Sequence, residues 1–203
     1  MKIALAQINP TIGDFAGNTR RILDFAGRAA VRRAALVLFP ELALCGYPPA
    51  DLLEKPSFLA RSEEALQQLA ASTATGPAIL LGVALPSKIP DGKHARNVAA
   101  LLHHGRIVFT QQKMLLPFYD VFDEQRYFQP AATQALITLD GQPLAITVCE
   151  DAWNDKNFWP RRLYPVDPVA ELVRQLDAAH PPTRTIRNIS ASPYWRGKRP
   201  LRY

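Results

Sequence analysis

The sequence lacks the features that mark several classes of protein. It holds only two cysteines among 203 residues, Cys45 and Cys149, and no CxxC pair. A disulfide scaffold and a zinc site built on such pairs are therefore excluded. No apolar run approaches the ~18–20 residues of a membrane-spanning helix. We expect a cytoplasmic protein with free thiols, no bound metal and no contact with a membrane.

Nucleic-acid binding is the function class that the charge raises, because the formal net charge is +6. The basic residues are spread along the chain, and the aromatic and glycine-rich motifs of RNA-binding domains are missing. A solvated helix face accounts for the arginines between positions 20 and 33. We therefore expect no nucleic-acid partner. A glycine-rich loop that could cradle phosphate is also missing, so the chain as given should not bind ATP.

Apolar patterning predicts an α/β protein. Crossover units come first and hairpins follow, which favours mixed sheets. The predicted elements are strands at 2–7, 35–41 and 78–85, helices at 19–34 and 57–72, hairpins over 97–113 and 135–149, a helix that starts at Asp167 and a last strand at 185–192. Asn18 is the predicted N-cap of the first helix.

Three chemically reactive side chains stand at predicted strand ends: Glu41, Lys113 and Cys149. Sites collect at strand ends in open α/β sheets, and a thiol with a carboxylate and an ammonium forms a usable nucleophile, base and oxyanion stabiliser. Each residue also has an ordinary structural explanation. A cysteine is often inert core, and a glutamate or lysine at a strand end is often solvated.

Four longer motifs carry a family resemblance: "FPELALCGYPPADLL", "KMLLPFYDVFDEQRYF", "VCEDAW" and "NISASPYWRGKR". The first three resemble the motif blocks of the nitrilase, or carbon–nitrogen hydrolase, superfamily, in the same order. The residues around these motifs are similar to the glutaminase domain of bacterial glutamine-dependent NAD⁺ synthetases, and this resemblance covers nearly the whole chain.

The resemblance implies a nitrilase-like αββα sandwich, in which two mixed sheets pack between layers of helices. It implies a single carbon–nitrogen hydrolase domain over residues 1–203. Members of the family continue with further strands, so we expect a domain that is truncated at the C-terminus after Tyr203. The synthetase domain is expected to be absent from this sequence.

The resemblance also assigns the catalytic roles. Cys149 becomes the nucleophile, Glu41 the proton acceptor and donor, and Lys113 the stabiliser of the oxyanion. Glu124 is expected to hold Lys113, and Glu150 to contact the substrate amine. The second cysteine, Cys45, lies in a turn-like stretch and is interpreted as structural.

Glutamine recognition is implied for Tyr119, Ser192 and Lys198, whose hydroxyls and cation suit the polar ends of an amino acid. Each has an alternative that stays open at this stage. Tyr119 can pack as core, Ser192 can cap a turn, and Lys198 can be solvated.

The implied activity is hydrolysis of L-glutamine to glutamate and ammonia through a glutamyl thioester, with no cofactor. The ammonia would serve ATP-dependent amidation of deamido-NAD⁺ in the full-length enzyme, whose synthetase domain would bind ATP, Mg²⁺ and deamido-NAD⁺. We also expect a homo-oligomer. The alternatives are a stand-alone amidase or nitrilase that acts on another small amide, and a truncated binding module without activity.

Overall fold

The computed structural model describes residues 1–154, 161–183, 185–192 and 196–197. The strands are Ile3–Leu5 (β1), Leu36–Leu38 (β2), Ala78–Pro86 (β3), Ala95–His103 (β4), Arg106–Gln112 (β5), Ile137–Leu139 (β6), Gln142–Val148 (β7) and Ile186–Ile189 (β8). The helices are Phe15–Val31 (α1), Pro56–Ala71 (α2), Glu124–Tyr127 (α3) and Pro168–Ala178 (α4). Two short 3-10 turns cover Ala50–Glu54 and Cys149–Ala152.

The described strands form two mixed sheets. The first has the order β1-β2-β3-β4-β5, parallel from β1 to β3 and antiparallel from β3 to β5. The second has the order β6-β7-β8, in which β6 and β7 are antiparallel and β7 and β8 are parallel. The parallel pairs come from crossovers and the antiparallel pairs from hairpins, as the sequence predicts.

The side-chain alternation of the strands places the sheets between two helix layers. Leu80 of β3 faces the second sheet and belongs to the same core cluster as Ile146 of β7. Its neighbour Leu81 points to the other face and joins the core under α1 and α2. On the far side of the second sheet, Leu172 of α4 packs on Ala145. The expected αββα sandwich is therefore confirmed.

The start of α1 differs from the prediction. Asp14 is the N-cap, and its side chain accepts a hydrogen bond from the backbone N–H of Gly17. Asn18, the predicted cap, is buried inside the helix. Its side-chain amide donates to the carbonyls of Thr11 at 2.8 Å and Leu44 at 3.0 Å. The prediction was wrong because this asparagine, a residue type that also caps helices, ties a distant loop to α1.

The second strand is shorter than predicted, because β2 ends at Leu38. Pro40 follows two residues later and has no N–H with which to extend the ladder. Glu41 therefore stands in the loop after β2 and not at the last residue of the strand. Within the ranges that the structure describes, no helix is long and apolar enough to cross a membrane.

The loop that carries Glu41 rests directly on β3 at Gly82. A Cβ atom at position 82 would lie 2.1 Å from the backbone N of Leu42 and 2.5 Å from the Cα of Glu41. The Gly82 N–H donates to the carbonyl of Pro40 at 3.1 Å, and the Gly82 carbonyl accepts from Leu44 at 3.3 Å. A residue without a side chain is what permits this approach.

Gly82→Ala is expected to lower the free energy of unfolding by about 1–3 kcal/mol or more, because the methyl group collides with backbone that cannot move aside. Gly27→Ala is the matched control, since a Cβ there meets nothing within 4 Å. Gly27 lies in α1, so this change should stabilise the protein by about 0.5–1 kcal/mol. Urea denaturation of both variants measures the difference. A Gly82→Ala variant as stable as the wild type would contradict the prediction.

Candidate active site

The three residues that the sequence places near strand ends meet in the structure. Lys113 follows directly after β5, Cys149 follows directly after β7, and Glu41 lies in the loop after β2. The Nζ atom of Lys113 is 2.8 Å from Oε1 of Glu41. The thiol of Cys149 lies beside the Glu41 carboxylate, which contributes to the raised pKa of that thiol. Glu41 is therefore the residue that connects the other two.

Lys113 is a fully buried cation held by two carboxylates. Besides Glu41, its Nζ atom contacts both oxygens of Glu124, at 2.9 Å and 2.8 Å. Burial acts to lower the pKa of Lys113, but the negative charges of Glu41 and Glu124 outweigh it and raise the pKa well above its ordinary value. The side chain is therefore an ammonium ion at neutral pH.

Glu41 receives hydrogen bonds from both sheets. The side-chain amide of Asn97, on β4, donates to Oε1 at 2.7 Å. The backbone N–H of Ala191, just after β8, donates to Oε2 at 3.1 Å. Together with Lys113 these donors fix the carboxylate in one orientation. Asn97 is a residue that the sequence reasoning missed, because an asparagine at the head of an apolar run carries no catalytic signal.

Glu124, the first residue of α3, is the second carboxylate that contacts Lys113. The phenol of Tyr47 donates to its Oε1 atom at 3.0 Å. Burial raises the pKa of Glu124 to about 7, although the charge of Lys113 acts in the opposite direction. This carboxyl group therefore changes charge near neutral pH. Tyr47 is a second residue that the sequence did not single out.

Cys149 stands at a sharp turn from β7 into a 3-10 helix, with a backbone φ of 47°. Burial raises the pKa of the thiol far above its ordinary value, and the negative charge of Glu41 raises it further, while Lys113 acts to lower it. The resting side chain is therefore a neutral thiol. A thiolate, the nucleophilic form, would arise here if a neighbouring base took the proton, and the Glu41 carboxylate lies beside the thiol.

Asp151 fixes the turn that carries Cys149. Its Oδ1 atom accepts hydrogen bonds from the backbone N–H groups of Met114 at 3.0 Å and Leu115 at 2.8 Å. Its Oδ2 atom accepts from the N–H of Val148 at 3.0 Å. Burial raises the pKa of Asp151 to about 6, against these backbone donors. One carboxylate thus joins the segment after Lys113 to the segment around Cys149.

Glu150 lies beside Cys149 and accepts hydrogen bonds from two tyrosines. The phenol of Tyr119 donates to Oε1 at 2.9 Å and to Oε2 at 2.8 Å. The phenol of Tyr164 donates to Oε1 at 3.1 Å. Tyr119 thus reaches the site, as do Glu124 and Glu150. Tyr164 was missed, because its proline-rich surroundings showed no recognisable pattern.

The last two predicted substrate residues follow β8. Ser192 is exposed and comes directly after Ala191, whose N–H bonds to Glu41. Lys198 lies outside the described residues. In the part of the chain that the structure describes, no group of three or more His, Cys, Asp or Glu side chains is arranged to hold a metal ion.

The second cysteine lies away from this cluster. Cys45 is buried in the loop after β2, where its thiol donates to the carbonyl of Leu42 at 3.8 Å and to that of Gly46 at 3.5 Å. Burial raises its pKa to about 12. A thiol in this state packs like a small apolar side chain.

Comparison with curated proteins finds relatives of this chain that are synthetases and are longer than it. The glutamine-dependent NAD(+) synthetase of Synechocystis sp. is 45% identical over 98% of this chain and 35% of its own. That of Thermotoga maritima is 38% identical over 100% of this chain and 32% of its own. The chain therefore spans about a third of the length of the curated relatives it matches.

Two solved structures show the same fold at greater distance. The glutamine-dependent NAD⁺ synthetase from Acinetobacter baumannii, in complex with ADP, matches 98% of this chain and 34% of its own with a TM-score of 0.79 and 30% identity. A mutant amidase of the nitrilase superfamily from Nesterenkonia matches 75% of this chain and 57% of its own with a TM-score of 0.63 and 25% identity.

The family model described as carbon-nitrogen hydrolase matches residues 2–160. This range is most of the sequence and contains Glu41, Lys113 and Cys149. The chain belongs to the carbon–nitrogen hydrolase family.

Proposed function

We propose that the chain hydrolyses the side-chain amide of L-glutamine, and that Cys149 is the nucleophile. The observation that carries this proposal is the contact of the Cys149 thiol with Glu41, whose carboxylate also binds the buried ammonium of Lys113. The proposed nucleophile, base and cation are thus adjacent to one another. The glutamine-dependent relatives support glutamine as the source of the amide.

In the first step Glu41 takes the proton of the Cys149 thiol, and the sulfur attacks the amide carbon of the substrate. A C–S bond forms, and the electron pair of the C=O double bond moves to the oxygen. Lys113, together with a backbone N–H near the thiol, stabilises the oxyanion. Fixed charges in a site without water are worth far more than the same charges in solvent.

In the second step the tetrahedral intermediate collapses. Glu41 gives its proton to the amide nitrogen, the C–N bond breaks, and ammonia leaves behind a glutamyl thioester. Water then attacks the thioester carbon while Glu41 takes its proton. The C–S bond breaks, glutamate is released, and the sulfur regains its proton from Glu41. These steps use water and side chains of this chain, and they involve no metal or cofactor.

Recognition of the amino-acid end of glutamine is proposed for the residues around Glu150. The carboxylate of Glu150 suits the α-ammonium, and the hydroxyls of Tyr119 and Ser192 suit polar atoms at either end. Lys198 suits the α-carboxylate. Each charged group of the substrate would thus meet a residue of opposite charge, which would let the site discriminate glutamine from simple amides.

The use of the ammonia is proposed from the longer relatives. We propose that ammonia passes to an ATP-dependent synthetase that converts deamido-NAD⁺ to NAD⁺, with ATP, Mg²⁺ and deamido-NAD⁺ bound there. A cytoplasmic location fits this role, since a thiol nucleophile has to stay reduced.

The second candidate function is hydrolysis of a short aliphatic amide. It is favoured by the likeness to the Nesterenkonia amidase over 75% of this chain. A panel that compares glutamine with acetamide, propionamide and butyramide separates the two. Rapid turnover of the short amides without turnover of glutamine would contradict the glutaminase proposal.

Cys149→Ala is expected to abolish release of ammonia from glutamine, because no thiol then remains to form the thioester. Cys45→Ala is the matched control and should keep most of the activity, since that thiol lies in the core. An electrophilic glutamine analogue, followed by peptide mass spectrometry, identifies the labelled cysteine. Labelling of Cys45 instead of Cys149 would overturn the assignment.

Lys113→Met is expected to lower kcat by about 10²–10³-fold and to change KM much less, because the oxyanion exists near the transition state and not in bound glutamine. The variant also leaves two buried carboxylates without their cation, which threatens the fold. Lys113→Arg keeps the positive charge but changes its geometry. This variant should fold, and its kcat should still be lower than that of the wild type. Steady-state kinetics with a folding check by circular dichroism measures both. A rise in KM with unchanged kcat would make Lys113 a substrate-binding residue.

Turnover is expected to fall as the pH drops through about 7, the pKa to which burial raises Glu124. Below that pH the Glu124 carboxyl is protonated and uncharged, so Lys113 binds Glu41 more strongly. A Glu41 carboxylate held by Lys113 is a weaker base for the thiol proton, and turnover falls. Glu124→Gln should give lower turnover without this pH-dependent step. The matched control is Glu171→Gln on the exposed face of α4, where Arg174 lowers the pKa of the carboxyl to about 2. An identical pH profile for wild type and Glu124→Gln would contradict the prediction.

A further inference from the structure

Glu150 is a buried carboxylate that the proposed chemical steps do not use. It is 4% exposed and adjoins Cys149 in the chain. A buried carboxylate is costly unless hydrogen bonds or a cation compensate it. Here the compensation comes from the phenols of Tyr119 and Tyr164. Burial and the Glu150 carboxylate raise the pKa of both phenols, so both remain protonated donors at neutral pH.

The two oxygens of Glu150 are not equivalent. Oε1 accepts from both phenols, at 2.9 Å from Tyr119 and 3.1 Å from Tyr164. Among the described residues, Oε2 accepts a hydrogen bond from Tyr119, at 2.8 Å. A carboxylate oxygen has room for more than one donor, so Oε2 keeps the larger capacity for a donor from outside. Tyr119 is also 39% exposed, so this side chain connects the buried carboxylate to the surface of the protein.

Tyr164 is fixed to the same turn by its backbone. The side-chain amide of Asn154 donates to the carbonyl of Tyr164 at 3.1 Å and also to the carbonyl of Val166. Asn154 is buried and lies two residues beyond the 3-10 turn Cys149–Ala152. The phenol of Tyr164 and its main chain are therefore both held relative to Cys149, one by Glu150 and the other by Asn154.

From this geometry we infer that Tyr164 is a positioning residue, which holds Oε1 of Glu150 so that Oε2 faces the α-ammonium of glutamine. The inference rests on the proposed glutaminase function and adds a determinant of substrate specificity to it. Tyr164 does not touch the substrate or the reacting atoms. Its effect is to keep one carboxylate oriented, so its loss should weaken recognition of the ammonium and leave the chemistry at Cys149 intact.

The test compares two substrates that differ in the α-ammonium. One is L-glutamine, and the other is 4-carbamoylbutanoate, which is glutamine without its α-amino group. Tyr164→Phe removes the phenol and keeps the ring. It should raise KM for glutamine about tenfold with kcat changed by less than about twofold. The same variant should leave kcat/KM for 4-carbamoylbutanoate unchanged. If turnover of that compound is too slow to measure, its inhibition constant against glutamine is compared instead, and it should also be unchanged.

Coupling to Glu150 is measured with Glu150→Gln and with the double variant. If Tyr164 acts through Glu150, the double variant should be no worse with glutamine than Glu150→Gln by itself, because coupled residues are not additive. Tyr127→Phe is the matched control. It removes a phenol that donates to Asp51 on the surface, and it should leave the kinetics with both substrates unchanged.

Four outcomes would count against the proposals. A Tyr164→Phe variant with unchanged glutamine kinetics overturns this inference. So does an equal loss with both substrates, which would mark a purely structural role, and so does full additivity with Glu150→Gln. A wild-type chain that hydrolyses 4-carbamoylbutanoate or short amides but not glutamine overturns the proposed function, and this inference with it.

Discussion

The buried ion pairs of Lys113 are the interaction on which the site depends. An ammonium removed from water is unfavourable by several kcal/mol, and the attraction of close carboxylates offsets that cost when the geometry is good. Lys113 has two such partners, Glu41 and Glu124, with contacts of 2.8–2.9 Å. Removing the cation would leave the carboxylates of Glu41 and Glu124 without their opposite charge. This constraint fixes the end of β5 relative to the loop after β2 and the start of α3.

The second sheet is connected to this cluster through backbone donors and one buried carboxylate. The N–H of Ala191 reaches Glu41, and Asp151 joins the Cys149 turn to the residues after Lys113. The apolar packing between the sheets sets their separation, but it has no direction of its own. Hydrogen bonds of defined length are what align the two sheets at the site. The sandwich therefore brings chain segments that are far apart in sequence close enough to form hydrogen bonds with each other.

Much of the fold could be predicted from local sequence, because it depends on local physics. The Asp140-Gly141 turn and the start of α4 at Asp167-Pro168 follow from backbone preferences, and both were predicted correctly. The N-cap of α1 was not, since Asn18 has a long-range task that its residue type does not reveal.

The candidate site divides in the same way. Glu41, Lys113 and Cys149 were visible because they end predicted strands and stand in motif blocks. Asn97 was not visible, because its partner Glu41 lies 56 positions away and the contact exists only once β4 and the loop after β2 are in place. Tyr164 was hidden for a similar reason. No periodicity or composition signals that its phenol reaches Glu150 across the turn.

The left-handed backbone at Cys149 has a consequence for the evolution of this family. A φ of 47° is unfavourable for any residue with a side chain, by on the order of 1–2 kcal/mol, and glycine would adopt it freely. The backbone strain by itself therefore favours glycine at this position over cysteine, while the burial of the Cys149 side chain opposes that exchange. If the proposed role of Cys149 is correct, a lineage released from the need to cleave amides would be free to relieve this backbone strain by replacing the cysteine. A cysteine retained at such a position in a homologue thus indicates that the chemistry is still under selection.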